Sequence, residues 1–364
     1  MSNLMDKKLF EIIGDDKISS AVKLKKIKYM ANLGVDLNTI YHGKNAMALA
    51  IELKEDEIAS FFEQNGVNSI VLSDKERNIL GEELFQAIIN KRNDEALELI
   101  EKGANLGYEF IEEGGGKTNV MNMAIQHGNK NIVRVLLDEG FDVNIGDNYN
   151  TPLVCACTSL LSEDDAIEII EMLLSNGADI NKKDQSGNPP IFWAAIGEKK
   201  RVVEALIANR CDLNVEAENG LTALNAACWK GYKDIAEILI NKGANLEKAD
   251  KVGDTPLITA CEFERLEIAE LLIKSGASVN AQSKKNGFTP LMHAVHLGNK
   301  ELTKLLIENG ADVNMKNNHK ASAMSIANSE MRKVILDAIK VKNEKEEGSK
   351  GIMSKLKAVI FDGY

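Results

Sequence analysis

The sequence contains none of the short motifs that mark common enzyme sites. It has no Gly-x-Ser-x-Gly elbow, no His-Glu-x-x-His pair, no Cys-x-x-Cys pair and no Gly-x-Gly-x-x-Gly loop after a strand. These motifs supply a nucleophile, a metal site, a redox pair and a phosphate-binding loop, respectively. The sequence therefore predicts a protein that is not an enzyme and that uses no cofactor or metal ion.

Positive charge is also scarce. The chain has 44 Lys and Arg residues against 55 Asp and Glu residues, a formal net charge of −11 at pH 7. Nucleic-acid binding normally needs a basic surface, so this balance argues against a nucleic-acid partner. It weakly favours a basic partner, or serves solubility alone.

Long apolar runs are missing. The N-terminus has no apolar run of signal-peptide length, and no stretch is long enough for a membrane span. The five cysteines are odd in number and lie mostly at small helical positions, as expected of buried, reduced thiols. We therefore expect a cytoplasmic protein, or one delivered into a host cell by a route that the sequence does not reveal.

Aromatic residues make up only 5% of the chain. Together with the abundance of Lys, Ile and Asn, this scarcity is typical of an AT-rich genome, as in some bacteria, viruses, phages and protists. The composition leaves open a role as an effector that acts on another organism's proteins.

One unit recurs along the chain. At residues 255–261 the sequence Thr-Pro-Leu-Ile-Thr-Ala-Cys predicts a helix start, because a Thr side chain caps free backbone N–H groups and Pro suits the first turn. A second predicted helix carries the apolar residues Ile268, Leu271 and Leu272 at helical spacing. Gly276 follows, at a position where the end of a helix often needs a positive φ.

The same pattern opens at Thr222 and Thr289, and in all three units the closing glycine lies 21 residues after the opening Thr. Successive closing glycines are 33 and 34 residues apart. This period, with its Thr-Pro-Leu-x-x-Ala opening, resembles the ankyrin repeat, and the resemblance covers roughly nine-tenths of the chain. It implies an all-α solenoid of about ten helix-turn-helix units with finger loops and terminal caps, each unit packing on its neighbours.

The sequence predicts a repeat array followed by a tail. The array covers residues 1–339, with a degenerate N-terminal cap unit at 1–42 and C-terminal cap helices at 319–339. A charged linker and a short amphipathic C-terminal segment fill 340–364. The apolar part of that segment, from residue 352, either docks on the cap, is disordered or binds a partner.

Several stretches depart from the regular repeat. The unit that opens at Thr151 closes after 26 residues, so about five extra residues are expected near 159–165, between its two helices. Arg210 replaces a closing glycine, which predicts a strained or remodelled helix end. Long connections are expected at 14–26 and 67–81.

The remaining candidates for small sites have incomplete patterns. Gly114–Gly116 lack the strand and the Gly-Lys-Ser/Thr ending of a phosphate loop. Cys155 and Cys157 point to different sides of a helix and lack two further ligands. His293 and His296 are three residues apart and could approach one metal ion, but no third ligand is evident. Structural roles are expected here, as for the Asp residues at finger bases, which can accept hydrogen bonds from turn N–H groups.

The resemblance implies that finger tips and the exposed side of the first helices line a concave surface. The candidate positions lie seven and eight residues after each opening residue, and one lies in a finger. The predicted partner-binding residues are Gln126, His127, Tyr149, Ile196, Trp229, Lys230, Glu262, Phe263, His296 and Leu297. Four of them would form an apolar stripe typical of a contact surface, namely Ile196, Trp229, Phe263 and Leu297. Alternatively, these side chains pack sideways on the next repeat.

Recognition of another protein is therefore the predicted activity. The chain would act as a scaffold or stoichiometric inhibitor that binds its partner through the concave face, although fold analogy carries much of this interpretation. One alternative is an adaptor or effector whose repeats select a target and whose C-terminal segment delivers the output. Another is an enzyme with an unrecognised site near 159–165 or in the tail.

Overall fold

The computed structural model describes residues 2–33, 35–111 and 116–344, with side chains from Lys7 onward. The chain divides into two compact units, Met1–Ala178 and Asp179–Tyr364. The described residues are mainly helical, which confirms the all-α prediction. In the first unit the helices are α1 (Ser2–Gly14), α2 (Ser20–Asn32), α3 (Ala46–Glu52), α4 (Asp56–Gln64), α5 (Asp74–Ile89), α6 (Asn93–Glu101), α7 (Val120–Gln126), α8 (Lys130–Asp138), α9 (Pro152–Thr158) and α10 (Glu163–Ser175).

In the second unit each first helix is shorter than the second helix that follows it. Its helices are α11 (Pro190–Ile196), α12 (Lys200–Ala208), α13 (Ala223–Lys230), α14 (Lys233–Asn241), α15 (Pro256–Glu262), α16 (Leu266–Lys274), α17 (Pro290–Leu297), α18 (Lys300–Glu308), α19 (Ala323–Ile326) and α20, helical over residues 329–344.

Helix starts follow the predicted capping chemistry. The opening Thr side chain accepts a hydrogen bond from the backbone N–H three residues later, which satisfies a donor that the helix itself leaves unpaired. The residues that do this are Thr151, Thr222, Thr255 and Thr289.

Equivalent helices of neighbouring pairs pack together. In the second unit, α13 contacts α11 and α15, while α14 contacts α12 and α16. Fully buried alanines on the first helices, Ala227, Ala260 and Ala294, allow close helix approach, because a methyl group adds little bulk. The second helices contribute buried leucines. Leu272 is fully buried, whereas Leu271, also predicted in the core, is only partly buried because it lies one residue, or about 100°, around α16.

The finger loops that connect successive helix pairs are held by hydrogen bonds at their bases. In the first unit two fingers are hairpins, pairing β1 (Ile40–Tyr41) with β2 (Lys44–Asn45) and β3 (Glu109–Ile111) with β4 (Lys117–Asn119). In the second unit Asp250 accepts hydrogen bonds from the N–H groups of Val252 and Asp254, at 3.0 and 2.9 Å. This arrangement supports the structural role expected of finger-base Asp residues. The Gly114–Gly116 stretch follows β3, and its first two residues lie outside the described part.

The long connections predicted at 14–26 and 67–81 are shorter than expected. Helix α2 already begins at Ser20, and its Lys23 is buried, with Nζ donating to Glu55 at 2.5 Å. Helix α5 begins at Asp74, where a reciprocal cap between Ser73 and Glu76 starts it. Both connections were predicted to be too long because charged residues were assigned to loops. In the structure Lys23 is buried by its pairing with Glu55, and other charged residues lie on exposed helix faces.

The extra residues predicted between the helices of the unit that opens at Thr151 mainly lengthen its second helix. Helix α10 has 13 residues, against 9 in α8 and α12. Its first turn is capped by Ser162, whose Oγ accepts the Asp165 N–H at 3.2 Å. The insertion therefore lies where it was predicted, but most of it is helical.

Helix α20 extends through residue 344, past the boundary predicted at 339, so the first residues of the predicted linker are helical. Residues 345–364 lie outside the described part of the chain. The tail segment from residue 352 therefore stays a prediction.

Arg210 occupies the left-handed backbone region, with φ +62°. The equivalent residues Gly243, Gly276 and Gly310 have φ +90°, +94° and +95°. The Arg210 N–H still donates to the Ile207 carbonyl at 2.9 Å. The equivalent glycine N–H groups make the same hydrogen bond at the ends of α14, α16 and α18. The helix end therefore keeps its shape, and Arg210 carries the backbone strain.

We expect Arg210→Gly to raise the free energy of unfolding by up to about 1 kcal/mol. Left-handed backbone costs a residue with a Cβ about 1–2 kcal/mol, and the extra freedom of glycine in the unfolded chain offsets part of the gain. Urea denaturation measures the change, with Arg210→Ala as the control that keeps the Cβ. An equal gain from Arg210→Ala would contradict a backbone origin.

His293 is a buried histidine on α17. Its Nε2 has no hydrogen-bond partner in the described structure, and its ring meets Phe288 edge-on at 5.2 Å. Burial, with a smaller contribution from nearby His296, lowers the pKa of His293 from 6.5 to about 4. The equivalent residue on α15 is Thr259, so the fold does not require a histidine here.

His293 should make stability fall between pH 6.5 and pH 4. In that range the unfolded chain binds a proton that the folded chain does not, so the free energy of unfolding decreases as pH falls, by up to about 3 kcal/mol. Chemical denaturation at several pH values should show a shallower loss for His293→Thr, and nearly the wild-type loss for the control His296→Thr. Identical pH profiles for wild type and His293→Thr would contradict this assignment.

Candidate partner-binding surface

Three large apolar side chains are exposed where successive first helices end. Trp229 lies in the last turn of α13, Phe263 directly follows α15, and Leu297 is the last residue of α17. Their exposed fractions are 36%, 40% and 45%. Because α15 packs against both α13 and α17, these residues follow one another along the second unit.

The structure brings Trp229 and Phe263 into contact. Their ring centroids are 6.4 Å apart with planes at 65°, an edge-to-face arrangement. The Lys230 Nζ lies 4.2 Å from the centroid of the Trp229 ring, and Arg265 donates to the Trp229 carbonyl at 3.3 Å. We call Trp229, Phe263 and Leu297 the aromatic patch.

Ile196 differs from these three residues. It is half-buried and packs against Phe192, Ala217 and Ala226. The alternative of sideways packing therefore describes Ile196, and the exposed part of the predicted stripe consists of the aromatic patch.

Carboxylates lie beside the patch. Glu262 is exposed at the end of α15, one residue before Phe263. Burial and the nearby carboxylates of Asp254 and Asp250 raise the pKa of Glu262, while Lys285 acts in the opposite direction. On α17 the exposed His296 meets Phe288 edge-on at 6.1 Å. Charged groups of both signs therefore surround the rings, with Lys230 and Arg265 at Trp229 and carboxylates around Glu262.

The other candidate residues belong to the first unit. Gln126 and His127 are exposed at the end of α7. Tyr149 is exposed in a finger, and its hydroxyl lies so close to Gly116 that a Cβ there would overlap it. Tyr149 therefore already packs on the neighbouring finger.

Sequence reasoning missed several of these contacts. Arg265 reaches Trp229 from the next unit, 36 residues along the chain, and no motif indicates this pairing. Asp254 was not selected, although an acidic residue directly before the opening Thr255 is visible in the sequence. The other tryptophan, Trp193, is partly buried and donates from Nε1 to Asp184 at 2.6 Å, which fixes the base of its finger.

Residues considered for other chemistry have structural contacts. In the insertion, Ser159 Oγ donates to the Ala156 carbonyl at 2.9 Å, and Asp165 pairs with Lys130 at 3.0 Å. Burial raises the pKa of the Cys211 thiol to about 12, which leaves it protonated and a weak nucleophile at neutral pH. Among the described residues, no group of three or more His, Cys, Asp or Glu side chains could hold a metal ion.

No helix of the described residues combines the length and the apolar character that crossing a bilayer requires.

A family profile described as "Ankyrin repeats (3 copies)" matches four overlapping stretches. They are residues 84–184, 160–250, 191–283 and 243–317. The stretches are continuous from 84 to 317, which is more than half of the 364 residues.

Curated relatives share part of this region. "Ankyrin repeat, SAM and basic leucine zipper domain-containing protein 1" of Ovis aries is 33% identical over 115 residues, 31% of this chain and 23% of that protein. The protein of the same name from Bos taurus is 35% identical over 98 residues, 27% of this chain and 20% of that protein. The matches thus span less than a quarter of either relative's length.

Two solved structures are similar over most of their own length. The ankyrin repeat domain of Bcl-3, described as a unique member of the IkappaB protein family, has a TM-score of 0.54 and 29% identity, covering 60% of this chain and 97% of that one. The human ASB11 ankyrin repeat domain has a TM-score of 0.50 and 25% identity, covering 61% and 96%. Ankyrin repeats are generally protein–protein interaction modules without enzymatic activity of their own. The chain belongs to the ankyrin-repeat family.

Proposed function

We propose that the chain binds another protein through the aromatic patch and acts as a scaffold or stoichiometric inhibitor. The observation that carries this proposal is the exposed contact between Trp229 and Phe263. Glu262 and His296 occupy the position of Trp229 in the next two repeats, and Lys230 occupies that of Phe263. Polar residues therefore suit both positions, and packing of the repeats does not require the rings.

A preformed surface suits stoichiometric binding. The first helices that carry the patch end at fixed hydrogen-bonded turns, so little backbone ordering accompanies association, and this lowers the entropic cost. Trp is enriched among residues that dominate interface energies, and its cluster with Phe263 offers one central anchor. The binding free energy would come from burying two aromatic rings whose positions are already fixed before the partner binds.

The adaptor or effector alternative shares this binding step. It adds an output delivered by the tail segment, which lies outside the described residues. We propose that the interaction takes place in the cytoplasm, either of the producing cell or of a host. An enzyme site near 159–165 gains no support, because the side chains described there cap helices and form ion pairs.

Trp229→Ser combined with Phe263→Ser should weaken partner binding at least about 30-fold, since truncating a central aromatic anchor commonly costs 2 kcal/mol or more. A partner is first captured from native lysate with wild type, and its affinity for each variant is then measured. Thermal unfolding of the double variant should stay near wild type.

The matched control is Leu336→Ser with Val341→Ser, which removes two apolar side chains that are 58% and 40% exposed on α20 of the same unit. It should leave the affinity unchanged. Equal binding by the patch variant, or its failure to fold, would contradict the proposal.

A further inference from the structure

We propose that the aromatic patch receives a basic segment of the partner protein, with an apolar residue on the rings and a lysine or arginine beside Glu262. This inference rests on the proposed function and adds the chemistry of the partner. An exposed apolar face alone does not identify its occupant. The charged side chains around the aromatic patch indicate the chemistry of the segment that would occupy it.

The register of the repeats places Glu262 within the patch. It occupies the repeat position of Trp229 and His296, and α15 packs between the helices that carry those residues. Glu262 therefore stands between the indole and the imidazole, next in sequence to Phe263. A partner side chain that lies on the rings brings its neighbours to this carboxylate.

Further negative charge lies behind Glu262. Asp254 precedes the start of α15, Asp250 forms the base of the same finger, and both disfavour ionisation of Glu262. The Oδ1 of Asp254 is buried and receives no hydrogen bond from the described residues. These groups repel one another, and an incoming cation relieves that repulsion.

The positive groups nearby compensate only in part. Lys285 is the cation that acts on Glu262 in the described structure. Lys251 faces Glu218 at 3.5 Å, while Arg265 is engaged at the Trp229 carbonyl. Two carboxylates, Asp254 and Asp250, therefore oppose the ionisation of Glu262 and one lysine favours it, in a chain whose net charge is −11.

The Trp229 ring already carries a cation. The Lys230 ammonium lies 4.2 Å from the ring centroid, a cation–π distance. The carboxylate of Glu262 is therefore the group that a basic residue of the partner would meet. An acidic segment would meet Glu262, Asp254 and Asp250 as like charges.

Three acetylated and amidated hexapeptides test the charge preference: Gly-Leu-Lys-Lys-Leu-Gly and its counterparts with Gln-Gln or Glu-Glu at the centre. Binding is followed by NMR through the indole N–H signal of Trp229, with Trp193 as the internal reference because its indole is bonded to Asp184. The lysine peptide should bind at least about fivefold more tightly than the glutamine peptide at low salt, and the glutamate peptide more weakly than both.

Glu262→Gln should remove most of the advantage of the lysine peptide over the glutamine peptide. The matched control Glu237→Gln, an exposed carboxylate on α14, changes net charge equally and should preserve that advantage. Equal affinities of the three peptides, preference for the glutamate peptide, no movement of the Trp229 signal, or equal effects of the two variants would overturn the inference.

The peptide experiment and the partner-binding experiment can fail independently, so failure of the basic-segment proposal can be distinguished from failure of the proposed function. If the patch variant loses the captured partner but the peptides show no charge preference, the binding surface stands and the basic partner does not. If the patch variant retains the partner, the proposed function fails whatever the peptides show.

Discussion

Packing between neighbouring helix pairs is the constraint on which the rest of the structure depends. Buried alanines at one position of the first helices, among them Ala227, Ala260 and Ala294, allow those helices to approach closely. Buried leucines such as Leu272 fill the layer of second helices. A short helix of seven to nine residues is marginal by itself, so each pair gains stability chiefly from its neighbours. This is why caps, helix-closing turns and small residues recur with one period.

The same constraint leaves other positions free to vary. The ends of the first helices take a tryptophan, a glutamate or a histidine at one position without changing the backbone path. The aromatic patch therefore costs the fold little and is available for recognition. In the proposed binding mode, the exposed rings act as an apolar anchor and the neighbouring carboxylate of Glu262 sets a charge preference, and both contribute to selective binding.

Much of the fold could be predicted because its signals are local. Thr255, Pro256 and Gly276 act on the backbone beside them, so their spacing indicates helix starts and ends directly. Properties that depend on neighbours were less predictable. Lys23 is buried because Glu55 lies against it, and Ile196 is half-buried because Ala217 and Ala226 pack on it. Similarly, Trp229 was identified as a candidate from its position, whereas its contacts with Arg265 and Phe263 required the stacked repeats.

The exposed ends of the first helices are the proposed binding surface. Hydrogen–deuterium exchange on the complex with a captured partner tests this proposal, because it reports every segment without assuming which one is involved. New protection should be concentrated at the C-terminal ends of α13, α15 and α17 and at the fingers beside them. Protection concentrated on α14, α16 and α18, with the Trp229 and Phe263 segments unchanged, would contradict the proposal.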